Sequence, residues 1–329
     1  MKYRVALALF FGVLLLLAPA RTSAQQPLVT DDEVKVDIYK KFSENWERNP
    51  QLAYEAAKEY MRRYGKEDDQ YTKYLKTWIG AYEEDVRVRR LAAEKADREQ
   101  QLLGSFTTKE YAKAYGLAKQ VLADNPDNVR VLVALGYGAV AASTEARNES
   151  FNDDAATYAQ KAIQSIESGK TPESWAPFKN KEDVLGSLHY ALGYYWLKTK
   201  PDEAIVQFVK AAELPSDRKT SPATYYYLGI AYQNGPYKRL SADYTKRFGN
   251  QPESPESKAA LEKIDSVMDK IIDAYARAIA LASKDPAQQS AKNQWMTRLT
   301  ELYKFRHENS DAGLNELIAS ILTKPLPPP

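Results

Sequence analysis

Apolar residues recur along most of the chain at the three- and four-residue spacing of amphipathic helices, without the strict alternation that is typical of β-strands. Pro, Gly and polar residues interrupt this pattern, and such residues usually end one helix and begin the next. The breaks fall at Asn49-Pro50, Gly65, Thr107-Thr108, Asn125-Pro126, Pro201-Asp202, Pro215, Pro222, Gly235-Pro236, Pro252 to Pro255 and Asp285-Pro286. The pattern therefore predicts an all-α fold.

An eight-residue arrangement of large and small residues recurs within the helical pattern. The sets are Leu132, Leu135, Gly136 and Ala139; His189, Leu192, Gly193 and Trp196; and Tyr225, Leu228, Gly229 and Tyr232. Each set is followed by a helix with apolar residues, most of them small or aromatic, at regular offsets: Ala155, Ala159 and Ala162; Ala204, Phe208 and Ala211; and Ile271, Tyr275 and Ala278. Small residues allow helices to approach closely, so we expect each set to pack against the helix that follows it.

The last of these sets, Y-x2-L-G-x2-Y, resembles the first helix of a tetratricopeptide repeat (TPR), which reads W-x2-L-G-x2-Y. Weaker matches begin at Ala53 and end at Pro325. The resemblance implies a TPR-like α-solenoid of degenerate helical hairpins over residues 25–323, followed by a Pro-rich tail at 324–329. It implies binding to another molecule rather than a particular reaction.

In TPR arrays the first helices line a concave groove, and the resemblance assigns a set of tyrosines to that groove. The candidate partner-binding residues are Arg130, Tyr137, Tyr190, Tyr194 and Tyr226. Aromatic rings of this kind make good anchors for an extended or helical segment of another protein. The alternative is that the tyrosines pack against a neighbouring helix or against inserted loops. The Lys and Asn with which some TPR proteins hold a carboxylate are absent from the corresponding positions.

Three stretches depart from ideal repeats. From Tyr71 to about Leu103 the pattern predicts one long helix with a densely charged second half, which forms either a solvated surface or a projecting arm. Two loops are expected as insertions, at 168–181 and at 233–258. The second loop holds basic and aromatic side chains that could grip an anionic partner or a sugar; otherwise it packs on the repeats or is mobile. Its candidate residues are Tyr237, Arg239, Tyr244 and Arg247.

The N-terminus has the features of a targeting segment. Two basic residues precede an apolar run from Val5 to Leu17, and small residues follow as far as Ala24. This order is typical of a secretory signal peptide, here residues 1–24. If the segment is not cleaved, residues 5–20 would anchor the chain in a membrane instead.

Charge and cysteine content narrow the classes of function. Cleavage would remove three basic residues and no acid, which leaves a net charge of 43 − 44 = −1. A near-neutral chain has no overall attraction for nucleic acid. The absence of cysteine excludes disulfides, thiol catalysis and Cys-ligated zinc. We therefore expect an exported bacterial protein, periplasmic or secreted, that meets a membrane only through an uncleaved N-terminus.

No motif for catalysis or cofactor binding stands out. Gly136 to Ala141 reads G-x-G-x-x-A, but a dinucleotide-binding turn needs a preceding strand, and here the glycines fall in a helical repeat. The two histidines, His189 and His307, are isolated, so a transition-metal site is not expected. Asp127 is expected to cap the next helix rather than bind calcium. We therefore predict no enzyme activity, no cofactor and no metal.

These observations favour an exported protein–protein interaction scaffold that binds an extended or helical segment of an envelope protein. Two alternatives stay open. The first is a membrane-tethered envelope assembly factor, and the second is an envelope enzyme that acts on a glycan through the basic and aromatic residues of 233–258.

Overall fold

A computed structural model describes residues 30–329, so the predicted signal peptide and membrane anchor lie outside the described residues. Within 30–329 every regular element is helical and none is a strand, which confirms the all-α prediction. The α-helices are α1 (Asp31–Asn45), α2 (Pro50–Tyr64), α3 (Gln70–Thr107), α4 (Tyr111–Asp124), α5 (Val129–Glu145), α6 (Asn152–Glu167), α7 (Lys181–Trp196), α8 (Pro201–Glu213), α9 (Pro222–Tyr232), α10 (Lys238–Phe248), α11 (Pro255–Ala282), α12 (Gln289–Arg306) and α13 (Leu314–Ser320).

Local signals in the sequence explain where several helices begin. Helices α8, α9 and α11 each begin with a proline, whose fixed φ suits the first helical position and whose missing N–H costs nothing there. Asn128 caps α5 because its side-chain oxygen accepts a hydrogen bond from the backbone N–H of Val131 at 3.2 Å. The prediction that Asp127 is this cap is wrong by one residue, since its carboxylate pairs with Lys170 at 2.6 Å instead.

The chain divides into two compact units, with the boundary inside α3. The first unit extends to Leu91 and contains α1, α2 and the beginning of α3. Its core is rich in aromatic residues, which pack mostly edge to face. The buried residues are Ile38, Phe42, Ala53, Ala57, Tyr60, Tyr64, Leu75 and Ile79.

The second unit, Ala92–Pro329, is a succession of helices that pack on their neighbours. α5 contacts α6, α6 contacts α7, and the same holds for α7 with α8, α8 with α9, α9 with α11 and α11 with α12. A Cβ atom added to Gly136 would lie 2.6 Å from the Cα atom of Ala159, so α5 and α6 touch through their backbones. Gly193 instead lies against the side-chain ring of Phe208, and Gly229 lies against the ring of Tyr275, each at about the distance where a Cβ atom would collide. These are the helix pairs that the repeating pattern predicts to meet.

The structure differs from the sequence-based expectation for 233–258. This stretch is mostly helical rather than a loop: a π-helical turn, Gln233–Tyr237, leads directly into α10. Leu240, Tyr244 and Phe248 are spaced by four residues and are half-buried, and α10 packs against α11. The Gly235-Pro236 pair lies inside the π turn and does not end the helical path.

The Pro-rich tail is held against α11. The guanidinium of Arg277 donates hydrogen bonds to the backbone carbonyls of Lys324 at 3.0 Å and of Pro325 at 2.7 Å. Arg277 is only 5% exposed and also pairs with Asp273 at 2.6 Å. The side chain of Leu326 packs on the core nearby.

The long helix expected from Tyr71 is confirmed, because α3 is unbroken as far as Thr107.

Candidate functional site

A cleft of about 1060 Å³ opens in the second unit among α3, α5 and the beginning of α7. Its remaining sides are the irregular segment 172–178 and the 3₁₀ turn Asp217–Thr220. We call it the aromatic cleft. Its lining includes Glu99, Leu103, Gly104 and Phe106 of α3; Arg130, Val133, Ala134, Tyr137 and Gly138 of α5; Trp175 and Phe178; Asp183, Val184 and Ser187 of α7; and Asp217 and Arg218.

Phe106 forms the wall on the α3 side. Its ring lies directly over Gly138, where any Cβ atom would collide with the ring. The same ring meets Tyr115 edge to face at a centroid distance of 5.9 Å, which fixes its position from the other side. The two glycines of the G-x-G sequence thus serve close packing: Gly136 admits α6, and Gly138 admits Phe106.

Trp175 and Phe178 close the cleft from the segment between α6 and α7. Both side chains are half-buried and pack on the core. The ring of Phe178 meets that of Tyr137 edge to face at 5.6 Å. Three elements that are distant in sequence therefore bring aromatic rings to one space.

The carboxylate of Asp183 holds two sides of the cleft together. Asp183 is 5% exposed, and its two oxygens accept hydrogen bonds from the backbone N–H of Lys179 at 3.2 Å and of Asp217 at 3.0 Å. These two hydrogen bonds replace the bonds to water that the carboxylate loses when it is buried. Asp183 therefore joins the 172–178 side of the cleft to the 3₁₀ turn.

The guanidinium of Arg218 lies above the ring of Tyr190 at 4.4 Å and beside the ring of Tyr137 at 5.4 Å, within the range of cation–π attraction. Its Nη2 donates a hydrogen bond to the Tyr137 hydroxyl, and its Nε donates a weak one to Ser187 Oγ at 3.4 Å. Across residues 30–329, no carboxylate forms an ion pair with Arg218.

The acids of the cleft already have partners. Glu99 accepts a hydrogen bond from the side chain of Asn128 at 2.8 Å, and Asp217 pairs with Lys179. Asp183 accepts its two backbone bonds. Arg130, by contrast, is exposed, and its side chain forms no hydrogen bond or ion pair within the described part of the chain. The cleft therefore combines engaged carboxylates with two guanidinium groups that have no carboxylate partner.

The structure brings two of the five predicted groove residues, Arg130 and Tyr137, into the cleft. Tyr190 is only 4% exposed and lies beneath Arg218, and burial raises the pKa of its hydroxyl above the usual value. Tyr194 packs edge to face on other tyrosine rings. Tyr226 stacks on Trp295 at 4.9 Å. Tyr190, Tyr194 and Tyr226 therefore make the contacts expected if these tyrosines pack against neighbouring parts of the chain instead of lining a groove.

The second predicted set, from Tyr237 to Arg247, lies away from the aromatic cleft. Arg239 pairs with Asp202 at 2.6 Å. Arg247 pairs with Asp243 at 3.3 Å, and its guanidinium lies 4.7 Å from the centroid of the Phe248 ring. Tyr237 packs on the core, and Tyr244 contacts Phe248 at 5.5 Å. Both arginines thus already have acidic partners in the chain.

Sequence reasoning missed several cleft residues. Trp175 and Phe178 could be noted as aromatic residues in an otherwise polar stretch, but nothing local connects them with α3. Arg218 carries no signal of its own, because its position depends on contacts with α5 and α7.

No helix within residues 30–329 is long and apolar enough to cross a membrane. Nor does this range hold a group of three or more His, Cys, Asp or Glu side chains arranged to bind a metal ion. No protein-family model matches the chain, and no curated protein matches its sequence.

Proposed function

We propose that the chain is an exported TPR-like α-solenoid that acts as a protein–protein interaction scaffold in the bacterial envelope. The helix-by-helix packing of the second unit supports the repeat arrangement. So do the close contacts at Gly136, Gly193 and Gly229, because each glycine meets the partner helix that a helical hairpin requires.

The aromatic cleft is the observation that carries the binding role. Its volume of about 1060 Å³ lies at the upper end of small-ligand pockets, which suits a segment of chain better than a compact metabolite. Phe106, Tyr137, Trp175 and Phe178 supply apolar surface with few rotatable bonds, which is the chemistry of anchoring residues in protein interfaces. The proposed occupant is an extended or helical segment of a partner protein.

The test uses a glycine in the cleft wall. A Cβ atom built on Gly104 meets no atom within 4 Å, and Gly104 lines the cleft, so Gly104→Trp introduces an indole at the cleft wall with no clash at the Cβ position. Gly116 of α4 is also exposed with nothing within 4 Å of its Cβ position, and it does not line the cleft. Gly116→Trp is therefore a matched control, with the same substitution in a helix of the same unit.

Tagged wild-type protein and the two variants are used to capture proteins from envelope extract, and the captured proteins are quantified by mass spectrometry. We expect a protein that wild type and Gly116→Trp retain equally and that Gly104→Trp loses. Equal capture by Gly104→Trp would show that the cleft is not the binding site.

A further inference from the structure

The charges of the aromatic cleft suggest which residue the partner segment carries. This inference rests on the proposed function, because it assumes that a segment of another protein occupies the cleft. The three acids in the lining are engaged by backbone N–H groups, Lys179 and Asn128. The two arginines in the lining, Arg130 and Arg218, have no carboxylate partner within residues 30–329.

Arg218 is held ready to bind a further group. An arginine has five N–H donors, and the bonds to Tyr137 and Ser187 use two of them, which leaves 5 − 2 = 3. The ring of Tyr190 supports one face of the guanidinium and limits its motion. Because the side chain is already ordered, little conformational entropy remains to be lost when a carboxylate binds.

Arg130 provides a second positive charge along the same wall. It precedes Tyr137 by seven residues in α5, which corresponds to two helical turns or about 10 Å. Arg218 contacts Tyr137, so the two arginines belong to parts of the cleft wall that are about two turns of α5 apart. A polyproline-type extended chain advances about 3.1 Å per residue and returns to the same face every third residue. Acidic residues three positions apart would therefore match both arginines.

We propose that the aromatic cleft selects an extended segment of a partner protein that carries an acidic side chain, and that Arg218 binds its carboxylate. An apolar residue beside the acid packs among Phe106, Trp175 and Phe178. A second acid three positions away faces Arg130 and adds a smaller contribution, since Arg130 is exposed and its ion pair is screened by solvent.

The experiment selects peptides from a phage-displayed library of random dodecapeptides. The selection uses wild type, Gly104→Trp, Arg218→Gln, Arg218→Glu and the control Lys219→Gln. Lys219 is exposed on the same 3₁₀ turn and does not line the cleft. Wild type and Lys219→Gln should enrich Asp or Glu next to an apolar residue, and Gly104→Trp should lose this enrichment. Arg218→Glu should enrich Lys or Arg at the acidic position.

The affinity of one synthetic acidic peptide is then measured for wild type and for each variant. These affinities isolate the contribution of the ion pair between Arg218 and the acid of the peptide. We expect Arg218→Gln to weaken binding about 10- to 100-fold, as for loss of a hydrogen bond to a charged group. Replacing the acid of the peptide with its amide should weaken binding to wild type similarly but change little for Arg218→Gln. If the two changes are not additive in this way, Arg218 and the acid of the peptide are in direct contact, whereas general damage to the cleft would give additive losses of affinity. If Arg218→Gln folds poorly, Arg218→Lys keeps the charge but loses the paired N–H donors, so it should weaken binding by a smaller factor that the amide peptide no longer shows. Arg130→Gln changes an exposed residue and should weaken binding only slightly. Unchanged affinity for Arg218→Lys and an undiminished effect of the amide peptide would contradict the role of Arg218.

The outcomes distinguish this inference from the proposed function. Peptides that require an open cleft but show no acidic preference, or that bind Arg218→Gln as tightly as wild type, would overturn the role of Arg218 and leave the cleft as the binding site. If no enriched peptide is sensitive to Gly104→Trp, the cleft itself is not a peptide-binding site, and both proposals fail.

Discussion

Substitution of Gly136 by Ala tests the close approach of α5 and α6 on which the proposed repeat arrangement depends. The new Cβ atom would lie 2.6 Å from the Cα and 2.7 Å from the backbone N of Ala159. An ordinary contact begins near 3.4 Å, so the helices must separate by about 3.4 − 2.6 = 0.8 Å. Both atoms belong to the backbone, so no side-chain rotation can relieve the clash.

The expected change in the free energy of unfolding is the sum of two opposing effects. Replacing Gly by Ala inside a helix favours folding by about 0.8–1.0 kcal/mol. Overpacking of a closely packed interface costs about 1–3 kcal/mol. Gly116 is the matched control, because a Cβ atom there meets nothing within 4 Å and only the favourable effect applies. Gly116→Ala should therefore be about 1 kcal/mol more stable than wild type, and Gly136→Ala should be less stable than Gly116→Ala by about 1–3 kcal/mol.

Differential scanning calorimetry measures this difference. For a unit of this size, 1 kcal/mol corresponds to about 2–4 °C in melting temperature, so the two variants should differ by roughly 2–12 °C. The Tyr195 hydroxyl donates a hydrogen bond to the carbonyl of Gly136 at 3.0 Å, and separation of the helices would strain this bond too. Equal melting temperatures for the two alanine variants would show that α5 and α6 are not in backbone contact, and the reasoning would be refuted.

Two further predictions concern buried polar groups. Arg277→Ala should destabilise the protein by about 3–5 kcal/mol, because it leaves the carboxylate of Asp273, whose side chain is only 15% exposed, without its partner. Arg247→Ala breaks an exposed pair of the same type and spacing and should cost at most about 1 kcal/mol. Urea denaturation of both variants measures the two losses of stability, and equal losses would contradict this prediction. Burial lowers the pKa of His189 below its usual value, although the hydrogen bond that its ring N–H donates to the side-chain oxygen of Gln207 partly opposes this effect. The unfolded chain therefore binds a proton at a pH where the folded chain does not, so stability falls as pH decreases through about 6.5. The melting temperature should fall less steeply from pH 7 to pH 5 in His189→Gln than in wild type. An unchanged slope would contradict the prediction that protonation of His189 destabilises the folded chain.

The helical class and the helix-to-helix contacts could be predicted from the sequence because both depend on local spacing. Gly136, Gly193 and Gly229 occur where the chain needs a small residue, and each meets a residue of the helix predicted to be its partner. The helix α10 was not predicted, because Gly235 and Pro236 usually end a helix, whereas here they lie in a π turn that leads into it.

The candidate site could be predicted only in part. The repeat register predicts Arg130 and Tyr137 on one face of α5, and this face lines the cleft. It could not show that Trp295 covers Tyr226 or that Arg218 covers Tyr190, because these contacts join residues far apart in the chain. Arg218 reaches the cleft through the 3₁₀ turn, and a buried carboxylate on α7, that of Asp183, holds the first residue of this turn. A contact of this kind leaves no periodic pattern in the sequence from which it could be predicted.

Hydrogen–deuterium exchange of the protein with and without a captured partner segment tests the central claim most directly. The segment 172–178 is irregular, so its backbone amides have few internal partners and report directly on what covers them. Binding in the aromatic cleft predicts slower exchange at 172–178, together with smaller changes at 96–107 and 130–138. Unchanged exchange in these three stretches, with protection elsewhere such as α10, would contradict the account.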